Sequence, residues 1–229
     1  MALRIVTWNI NSVRSRMDHT FRLIEEQSPD VICLQETKVV NDAFPVKPFA
    51  ERGYVHNHFQ GMKAYNGVAI LSRLPLKGAD VRHWCDKRDC RHVLAELPGG
   101  IELHSVYVPA GGDTPDPEVN DKFRHKLRFF DEMTAWLKAE RSRERPVILL
   151  GDLNVAPHEN DVWSHKVMMK IVSHTPVEVE RLAVMQNSLE FVDAVRRYTP
   201  QDQKLFSWWS YRARDWVESN RGLRLDHAW

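Results

Sequence analysis

The sequence predicts an α+β fold in which two sheets pack against each other and helices cover their outer faces. Segments with the patterns of strands and of helices alternate along the chain, which is typical of sheets covered by helices. A Pro-Gly-Gly turn at residues 98–100 joins two strand patterns directly, and this is a hairpin signal. A simple parallel sheet with one helix per crossover does not contain such hairpins, so a two-sheet sandwich fits the pattern best.

The first half of the chain contains five strand patterns and one helix. Residues 3–10 alternate apolar and polar side chains, as a half-buried strand does. Residues 17–27 place apolar side chains at helical spacing, and the following Ser-Pro-Asp ends that helix. Further strands are predicted at 31–36, 66–72, 92–97 and 101–108.

The second half begins with the longest helical pattern, at residues 120–143. One face of this helix is apolar and carries Phe123, Leu127, Phe130, Met133, Trp136 and Leu137. A fully apolar strand follows at 146–152, and a second helix is predicted over 177–189. The tail is expected to form strands at 206–212 and 223–229, separated by a loop.

The composition is that of an ordinary globular protein, and we expect residues 1–229 to form a single domain. Hydrophobic residues make up 43% of the chain and charged residues 28%, which is sufficient for one large core. No apolar stretch is long enough to cross a bilayer, and the first residues lack the pattern of a signal peptide. With only three cysteines in the chain, these features predict a cytoplasmic protein without membrane association.

The overall charge does not indicate a nucleic-acid partner, but the C-terminal region does. The net charge is +1, whereas residues 196–224 hold seven basic residues against three acidic ones. Four aromatic residues lie among them: Trp208, Trp209, Tyr211 and Trp216. Basic and aromatic side chains in this mixture suit a phosphate backbone and a base or nucleotide face. A solvated surface with a few core tryptophans explains the same pattern equally well.

A second cluster, at residues 83–92, raises the question of a zinc site. His83, Cys85, Cys90 and His92 lie close together in the sequence. The usual Cys-x-x-Cys pair with a distant second pair is absent, so the zinc interpretation is weak. We interpret the segment as a loop between strands.

Several predicted strands end in oxygen-bearing side chains. These side chains are Asn9, Glu36, Tyr107, Asp152 with Asn154, and Asp226. Each has an ordinary structural explanation, such as a strand end, a helix cap or an Asx-turn. Asp152 and Asn154 are the strongest signal, because the period of two along a strand points both side chains the same way.

Together these oxygen donors favour a magnesium-type site and attack by water. Magnesium takes few protein ligands and leaves its other positions to water and phosphate oxygens. The sequence has no P-loop, no His-Glu-x-x-His and no Gly-x-Ser-x-Gly. A nucleotide-binding loop, a zinc protease helix and a serine nucleophile are therefore not indicated.

Six motifs stand out along the chain, in this order: VTWNINSVRSR, PDVICLQETKV, YNGVAILSR, GDLNVAP, FSWWSYR and NRGLRLD. In these motifs and their order the chain resembles the bacterial exonuclease III family, from its first strand to its last residue. WNIN, LQET and GDLN mark the endonuclease/exonuclease/phosphatase superfamily, and LQETKV and NRGLRLD narrow the resemblance to its abasic-site endonuclease branch.

The resemblance implies a four-layer αββα sandwich of two mixed sheets flanked by helices. It also implies a base-excision repair enzyme that acts as a monomer on double-stranded DNA with abasic sites or blocked 3′ ends. Its expected activities are 3′-to-5′ exonuclease, abasic-site endonuclease and 3′-end phosphatase or phosphodiesterase. All of them are hydrolysis of phosphate esters assisted by Mg²⁺ or Mn²⁺.

The resemblance also assigns a metal-binding group. Glu36 matches the main metal carboxylate of the family, and Asn9 lies beside it as a further ligand or orienter. Asp152 matches the residue that activates water or handles the proton. Asn154 matches the residue that positions the nucleophile and steadies the transition state. We expect all four around the metal.

Four further residues match positions near the phosphate or the DNA. Tyr107 matches a tyrosine that faces the phosphate, and Asp226 matches a carboxylate behind the catalytic group. Arg91 and Trp208 match DNA-contacting positions, and an extruded abasic nucleotide is expected in a pocket near Trp208.

The sequence departs from the family pattern at its C-terminal end. The family has a further Ser-Asp-His run and a last strand after the segment that NRGLRLD matches, and this chain shows neither. The resemblance therefore implies that the C-terminal strands and the histidine that Asp226 would hold are missing. Loss of one such donor typically lowers the rate by about 10²–10³-fold, so a weakly active or inactive chain is expected.

Two other functions remain open at this stage. One is a phosphatase or phospholipase of the same superfamily that acts on inositol phosphates or lipids. The other is a DNA-binding remnant without catalytic activity. His227 is adjacent to Asp226, but strand alternation points it away from the face of Asp226, which disfavours it as a substitute catalyst.

Overall fold

The computed structural model describes residues 3–212 and 214–229, which form two compact units. The sheet unit contains the chain up to Tyr107 together with Glu144–Asp152. The helical unit contains Val108–Arg143 and Leu153–Trp229.

The sheet unit contains two sheets and two helices. Its elements are β1 (Ile5–Asn9), α1 (Met17–Gln27), β2 (Val31–Gln35), α2 (Val46–Ala50), β3 (His56–Gln60), β4 (Val68–Ser72), β5 (Lys77–Trp84), β6 (Lys87–Leu97), β7 (Ile101–Tyr107) and β8 (Val147–Asp152). The first sheet has the strand order β1-β2-β4-β3, with β1 and β2 parallel. The second has the order β8-β7-β6-β5, with β7 and β8 parallel and the others antiparallel. Both sheets are therefore mixed, as predicted.

The core of the sheet unit follows from the alternation of side chains along β2. Ile32 and Leu34 pack on the outer face against Ile24 of α1 and Phe49 of α2. The next residue, Gln35, points the other way, and its Nε2 donates to Ser105 Oγ on β7 at 3.1 Å. Between the two sheets, β1 contacts β8, β2 contacts β7 and β8, and β4 contacts β6 and β7. The two sheets thus form a sandwich with a buried polar link at its centre.

The segment with the cysteine and histidine cluster is a hairpin, and our interpretation of it as a loop is wrong. Strands β5 and β6 pair across it, and only Cys85 and Asp86 form the turn. Both turn residues have a positive φ, of 58° and 57°, as a tight two-residue hairpin turn requires. Among the described residues, no group of three or more His, Cys, Asp or Glu side chains is placed to hold a metal ion. The zinc interpretation therefore receives no support.

The helical unit, in its described residues, holds five α-helices and three short strands. Its elements are α3 (Asp121–Glu140), α4 (His165–Met168), α5 (Pro176–Asn187), α6 (Ala194–Tyr198), β9 (Trp208–Trp209), α7 (Trp216–Ser219), β10 (Gly222–Leu223) and β11 (Asp226–Ala228). Helix α3 begins after Asn120, whose side chain accepts hydrogen bonds from two backbone N–H groups. Helix α5 begins with a capping box formed by Thr175 and Glu178. The two long helices match the predicted ones, whereas the tail forms much shorter strands than predicted.

A buried ion cluster joins separate parts of the helical unit. Asp161 is fully buried, and its carboxylate lies 2.5 Å from Arg196 Nη2 and 3.5 Å from Arg224 Nη1. Arg224 also contacts Asp193 at 2.5 Å. Because Arg224 belongs to the NRGLRLD motif, the cluster fixes the segment that leads to Asp226.

None of the helices in the described parts of the chain combines the length and the apolar character that a bilayer span requires.

Candidate active site

The ends of four strands in the sheet unit bring four predicted site residues together. Asn9 Nδ2 donates to Glu36 Oε1 at 2.9 Å and to Asp152 Oδ2 at 2.8 Å. The hydroxyl of Tyr107 donates to the same Glu36 oxygen at 2.8 Å. Asn9 and Glu36 meet because β1 and β2 are parallel, and Tyr107 and Asp152 are direct partners in the parallel pair β7 and β8. We call this group of four residues the carboxylate centre.

An unusual backbone conformation turns Glu36 into this centre. Its φ is 53°, in the left-handed region that costs a non-glycine residue about 1–2 kcal/mol. The neighbouring backbone holds it there: Ser12 N–H donates to the Glu36 carbonyl at 2.7 Å, and Thr37 N–H donates to the Gly67 carbonyl at 3.1 Å. Strain of this kind at a carboxylate is typical of a functional position.

Glu36 is ionised in this arrangement. Burial by itself would raise the pKa of Glu36, but hydrogen bonds from Asn9, Lys38 and Tyr107 and the charge of Lys38 outweigh it and lower the pKa. Lys38 Nζ lies 2.7 Å from Glu36 Oε2. The carboxylate therefore has an internal counter-ion that we did not assign from the sequence, although it stands in the LQETKV motif.

Tyr107 keeps its proton and acts as a donor. Burial raises its pKa, and the negative charges of Glu36 and Asp152 raise it further. The guanidinium of Arg91 lies 4.8 Å from the centre of the Tyr107 ring, and its Nη1 donates to the Tyr107 carbonyl at 3.3 Å. Arg91 is thereby brought to the carboxylate centre, and its Nε is paired with Asp89 Oδ2 at 2.5 Å.

The donor chemistry of the centre fits a hard divalent cation. Two carboxylates share one amide donor, so their oxygens lie close together, and both are flanked by amide and hydroxyl groups. Magnesium is commonly held by one or two carboxylates, with water and substrate phosphates completing its shell. The contact of Lys38 with Glu36 shows that a positive group is already accommodated here.

The structure presents the side-chain nitrogen of Asn9 to the two carboxylates, while Asn9 Oδ1 accepts from Asn11 N–H at 3.1 Å. Of the two roles open to Asn9, this geometry favours the orienter.

Asn154 lies in the helical unit, two residues after Asp152 along the chain. It is buried and has a left-handed φ of 54°. Its carboxamide Nδ2 donates to the Val108 carbonyl at 2.9 Å, and its own carbonyl accepts from Lys126 Nζ at 2.7 Å. Side chain and backbone are therefore both fixed.

Trp208 lies in β9, where it packs against the apolar cluster that contains Val162 and Leu223. Its neighbour Trp209 instead lines an open groove of about 690 Å³, together with Trp216, Arg212, Arg214 and Arg221. The two interpretations of the basic and aromatic tail are thus both represented. Trp208 is partly buried against this cluster, whereas Trp209 and Trp216 line the basic groove, and a DNA contact by Trp208 stays a prediction.

Asp226 lies beside Ser207, whose Oγ accepts the Asp226 backbone N–H at 3.0 Å. Burial raises the pKa of Asp226 to about 6, and a hydrogen bond between the Ser207 and Asp226 side chains and the charge of Arg224 only partly offset this effect. Because this pKa exceeds the ordinary value of 3.8, the folded state binds more protons than the unfolded state between these two values. Folding stability is therefore lost as the pH rises from about 4 to about 6, and the loss is complete above pH 6.

Replacing Asp226 with asparagine is expected to stabilise the protein at pH 7.5 by on the order of 1–3 kcal/mol, because the buried charge is removed. Urea denaturation at pH 7.5 and at pH 4 measures the effect, which should nearly vanish at pH 4. Exposed Asp202→Asn is the control and should change little at either pH. Equal effects of Asp226→Asn at both pH values would contradict the prediction.

Gly151, immediately before Asp152, has a role that sequence reasoning missed. Its φ is 148°, and a Cβ at this position would lie 1.9 Å from the Val106 carbonyl oxygen on β7. Only glycine lets β8 approach β7 at this point. A small residue directly before the motif carboxylate was the available signal.

Gly151→Ala is therefore expected to destabilise the protein by about 1–3 kcal/mol, because backbone atoms must move to relieve the overlap. Chemical denaturation measures the loss. Gly99→Ala is the control, since its Cβ would meet nothing within 4 Å although its φ is also positive, at 87°. A loss no larger for Gly151→Ala than for Gly99→Ala would show that the close approach to Val106 is unimportant.

Comparison with known proteins gives one family. A model of the Endonuclease/Exonuclease/phosphatase family matches residues 6–229. The chain is 30% identical to the exodeoxyribonuclease III of Haemophilus influenzae over 239 residues, which cover 98% of this chain and 86% of the relative.

Solved structures give the same result for the fold. An AP endonuclease from Archaeoglobus fulgidus has a TM-score of 0.89 and 30% identity, covering 99% of this chain and 86% of its own. The 3′ phosphatase NExo from Neisseria, solved with a product DNA hairpin, has a TM-score of 0.87 and 29% identity with the same coverage. The predicted α+β class, with two mixed sheets flanked by helices, is confirmed by this similarity.

Proposed function

Because this chain belongs to the Endonuclease/Exonuclease/phosphatase family, we propose that it hydrolyses phosphate esters of double-stranded DNA at abasic sites and at blocked or recessed 3′ ends. Its relatives make it a nuclease-type hydrolase related to exodeoxyribonuclease III. A solved neighbour is a 3′ phosphatase bound to a DNA hairpin, which supports action on 3′ ends. The observation that carries the proposal is the carboxylate centre, in which one amide joins Glu36 and Asp152.

Glu36 and Asp152 would hold the divalent cation, which we propose is Mg²⁺ or Mn²⁺. When bound, such a cation withdraws charge from the scissile phosphate and from the leaving 3′ oxygen. Asn9 holds the two carboxylates at a fixed separation through its two hydrogen bonds, so they do not have to be gathered when substrate arrives.

The side chains of this protein supply the proton transfer and the fixed donors. Asp152 accepts a proton from the attacking water, whose oxygen forms the new bond to phosphorus while the bond to the 3′ oxygen breaks. Tyr107, held protonated, would turn its single O–H from Glu36 Oε1 towards the phosphate when substrate binds, and the guanidinium of Arg91 lies beside its ring. We propose that Asn154 positions the attacking water and that Asp226 supports the catalytic groups without contacting the substrate.

Cleavage of a labelled duplex with a single tetrahydrofuran abasic analogue tests the proposal. We expect cleavage on the 5′ side of the analogue with Mg²⁺ and none with EDTA. Glu36→Gln should lower the single-turnover rate by about 10²-fold or more, because the main metal carboxylate is lost. Glu26→Gln, an exposed change on α1, is the control and should leave the rate unchanged.

Two other outcomes would replace the proposal. DNA binding that persists in EDTA without cleavage in Mg²⁺ would show a binding protein. Hydrolysis of an inositol phosphate with abasic DNA left intact would show the phosphatase activity instead. A substrate with a 3′-phosphate, assayed in parallel, separates the endonuclease from the 3′-end activity.

A further inference from the structure

The helical unit contains a buried lysine for which the proposed chemistry has no use. Lys126 lies within the long helix α3, and both its side chain and that of Glu178 are completely buried. The Nζ of Lys126 lies 2.5 Å from Glu178 Oε1. Burying two charges costs several kcal/mol per ion, and apolar residues in their place are often equally stable. A contribution to stability therefore does not explain the pair.

The contacts of the ammonium group indicate another role. Lys126 Nζ donates to the Asn154 carbonyl at 2.7 Å and to the Ala110 carbonyl at 3.3 Å. Ala110 lies in the loop after β7, and Asn154 lies in the loop after β8. One ammonium group thus joins the two loops that follow Tyr107 and Asp152. The same pair of loops is joined a second time where Asn154 Nδ2 donates to the Val108 carbonyl at 2.9 Å.

Glu178 fixes the other side of the lysine. Its Oε2 accepts hydrogen bonds from Thr175 Oγ1 at 2.6 Å and from the backbone N–H groups of Ser173 at 2.9 Å and Thr175 at 3.1 Å. These donors lie at the N-terminus of α5, so the carboxylate is held by the helix cap. Gly111 closes the site along the lysine stem, since a Cβ there would lie 2.9 Å from Lys126 Cδ.

We propose that Lys126, held by Glu178, is a positioning residue that fixes Asn154 in its left-handed conformation and thereby aims its carboxamide. The left-handed conformation of Asn154, with its positive φ, costs free energy. The hydrogen bond from the charged Lys126 ammonium to the Asn154 backbone carbonyl offsets that cost. The catalytic consequence rests on the proposed function, because it requires that Asn154 acts on water or phosphate. The structural consequence, a fixed Asn154, does not depend on it.

The pair of variants Lys126→Met/Glu178→Gln tests the proposal in the full chain. Lys126→Met alone leaves a buried carboxylate without its cation and is expected to unfold part of the protein. The double variant removes both charges and keeps an oxygen for the cap of α5, so we expect it to fold. Lys122→Met, an exposed change one turn earlier on α3, is the matched control.

The first readout is the NMR signal of the Asn154 side-chain amide, assigned by its loss in Asn154→Ala. In the folded double variant we expect this signal to shift and its hydrogen exchange to accelerate by about tenfold or more, since the loop opens locally. Lys122→Met should leave it unchanged. An unchanged Asn154 signal in the folded double variant would overturn the proposal.

The second readout is hydrolysis of the abasic duplex. We expect the double variant to lower kcat by about 10- to 100-fold with KM nearly unchanged, because a small misplacement of a reacting group is sufficient for such a loss. In an Asn154→Ala background the same two changes should have no further effect on kcat. An equal loss in both backgrounds would show that Lys126 does not act through Asn154.

The two readouts separate failure of this inference from failure of the proposed function. If the unmodified protein does not cleave DNA, the proposed function fails and the NMR signal still decides whether Lys126 fixes Asn154. If it cleaves DNA and the signal and kcat are both unaffected by the double variant, only the inference fails.

Discussion

Asp152→Asn is expected to lower the rate of abasic-site cleavage by about 10²–10⁴-fold, because the proposed mechanism uses this carboxylate to accept the proton of the attacking water. In the unmodified protein Asn9 Nδ2 lies 2.8 Å from Asp152 Oδ2. Asparagine has nearly the same shape as aspartate and still offers an oxygen to Asn9 Nδ2. The carboxylate centre should therefore keep its geometry. Single-turnover kinetics on the tetrahydrofuran duplex measures the rate.

DNA affinity and folding are the controls for this variant. We expect the Kd for the duplex in EDTA to change by less than about threefold, because nucleic-acid affinity depends mainly on basic residues. Exposed Asp42→Asn should leave both rate and affinity unchanged. A rate within tenfold of the unmodified protein would remove Asp152 from the mechanism and would leave Glu36 as the only essential carboxylate of the centre.

Asp161→Ala is expected to cost about 3–5 kcal/mol of folding stability, the largest stability effect that we predict. It leaves the guanidinium groups of Arg196 and Arg224 buried without the carboxylate that lies between them. Chemical denaturation should show the loss directly. In a chain of this size, the melting temperature should fall by about 10 °C.

The surface pair of Asp131 and Arg181 provides a matched control. Its carboxylate is also an arginine partner, at 3.0 Å, but the Asp131 side chain is 56% exposed. Asp131→Ala should cost no more than about 1 kcal/mol, because water replaces the lost contact. If the two variants were equally stable, the buried cluster would not hold the C-terminal segment in the way that we describe.

The sequence was sufficient to predict the elements whose patterns are strong. Helix α1 begins and ends at the predicted residues, and the hairpin of β6 and β7 lies on the predicted turn. Strands β3 and β5 were missed, and β6 begins at Lys87, before the predicted strand at 92–97. The residues of β3 and β5 are mostly polar or charged and only partly buried or exposed, so no apolar period marks them. Pairing with neighbouring strands stabilises them, and this is not visible locally.

The candidate site was predictable where its residues end strong strand patterns, and not where its geometry depends on residues distant in the sequence. Asn9, Glu36, Tyr107 and Asp152 end strong strand patterns, and parallel pairing brings those ends together. The left-handed turn at Glu36 was not predictable, because it depends on hydrogen bonds with Ser12 and Gly67. Nothing in the helical pattern of residues 120–143 marks Lys126 as a buried residue. Its burial depends on Glu178, more than fifty residues later in the chain.

The contact between Lys38 and Glu36 has a consequence for how the enzyme is made. A carboxylate that carries its own ammonium neighbour is electrically balanced before any metal arrives, so folding does not have to wait for a cation. Under the proposed function, a divalent ion would have to compete with that neighbour for the same oxygen. We therefore expect weak binding of the ion alone and tighter binding when a phosphate supplies further oxygen ligands.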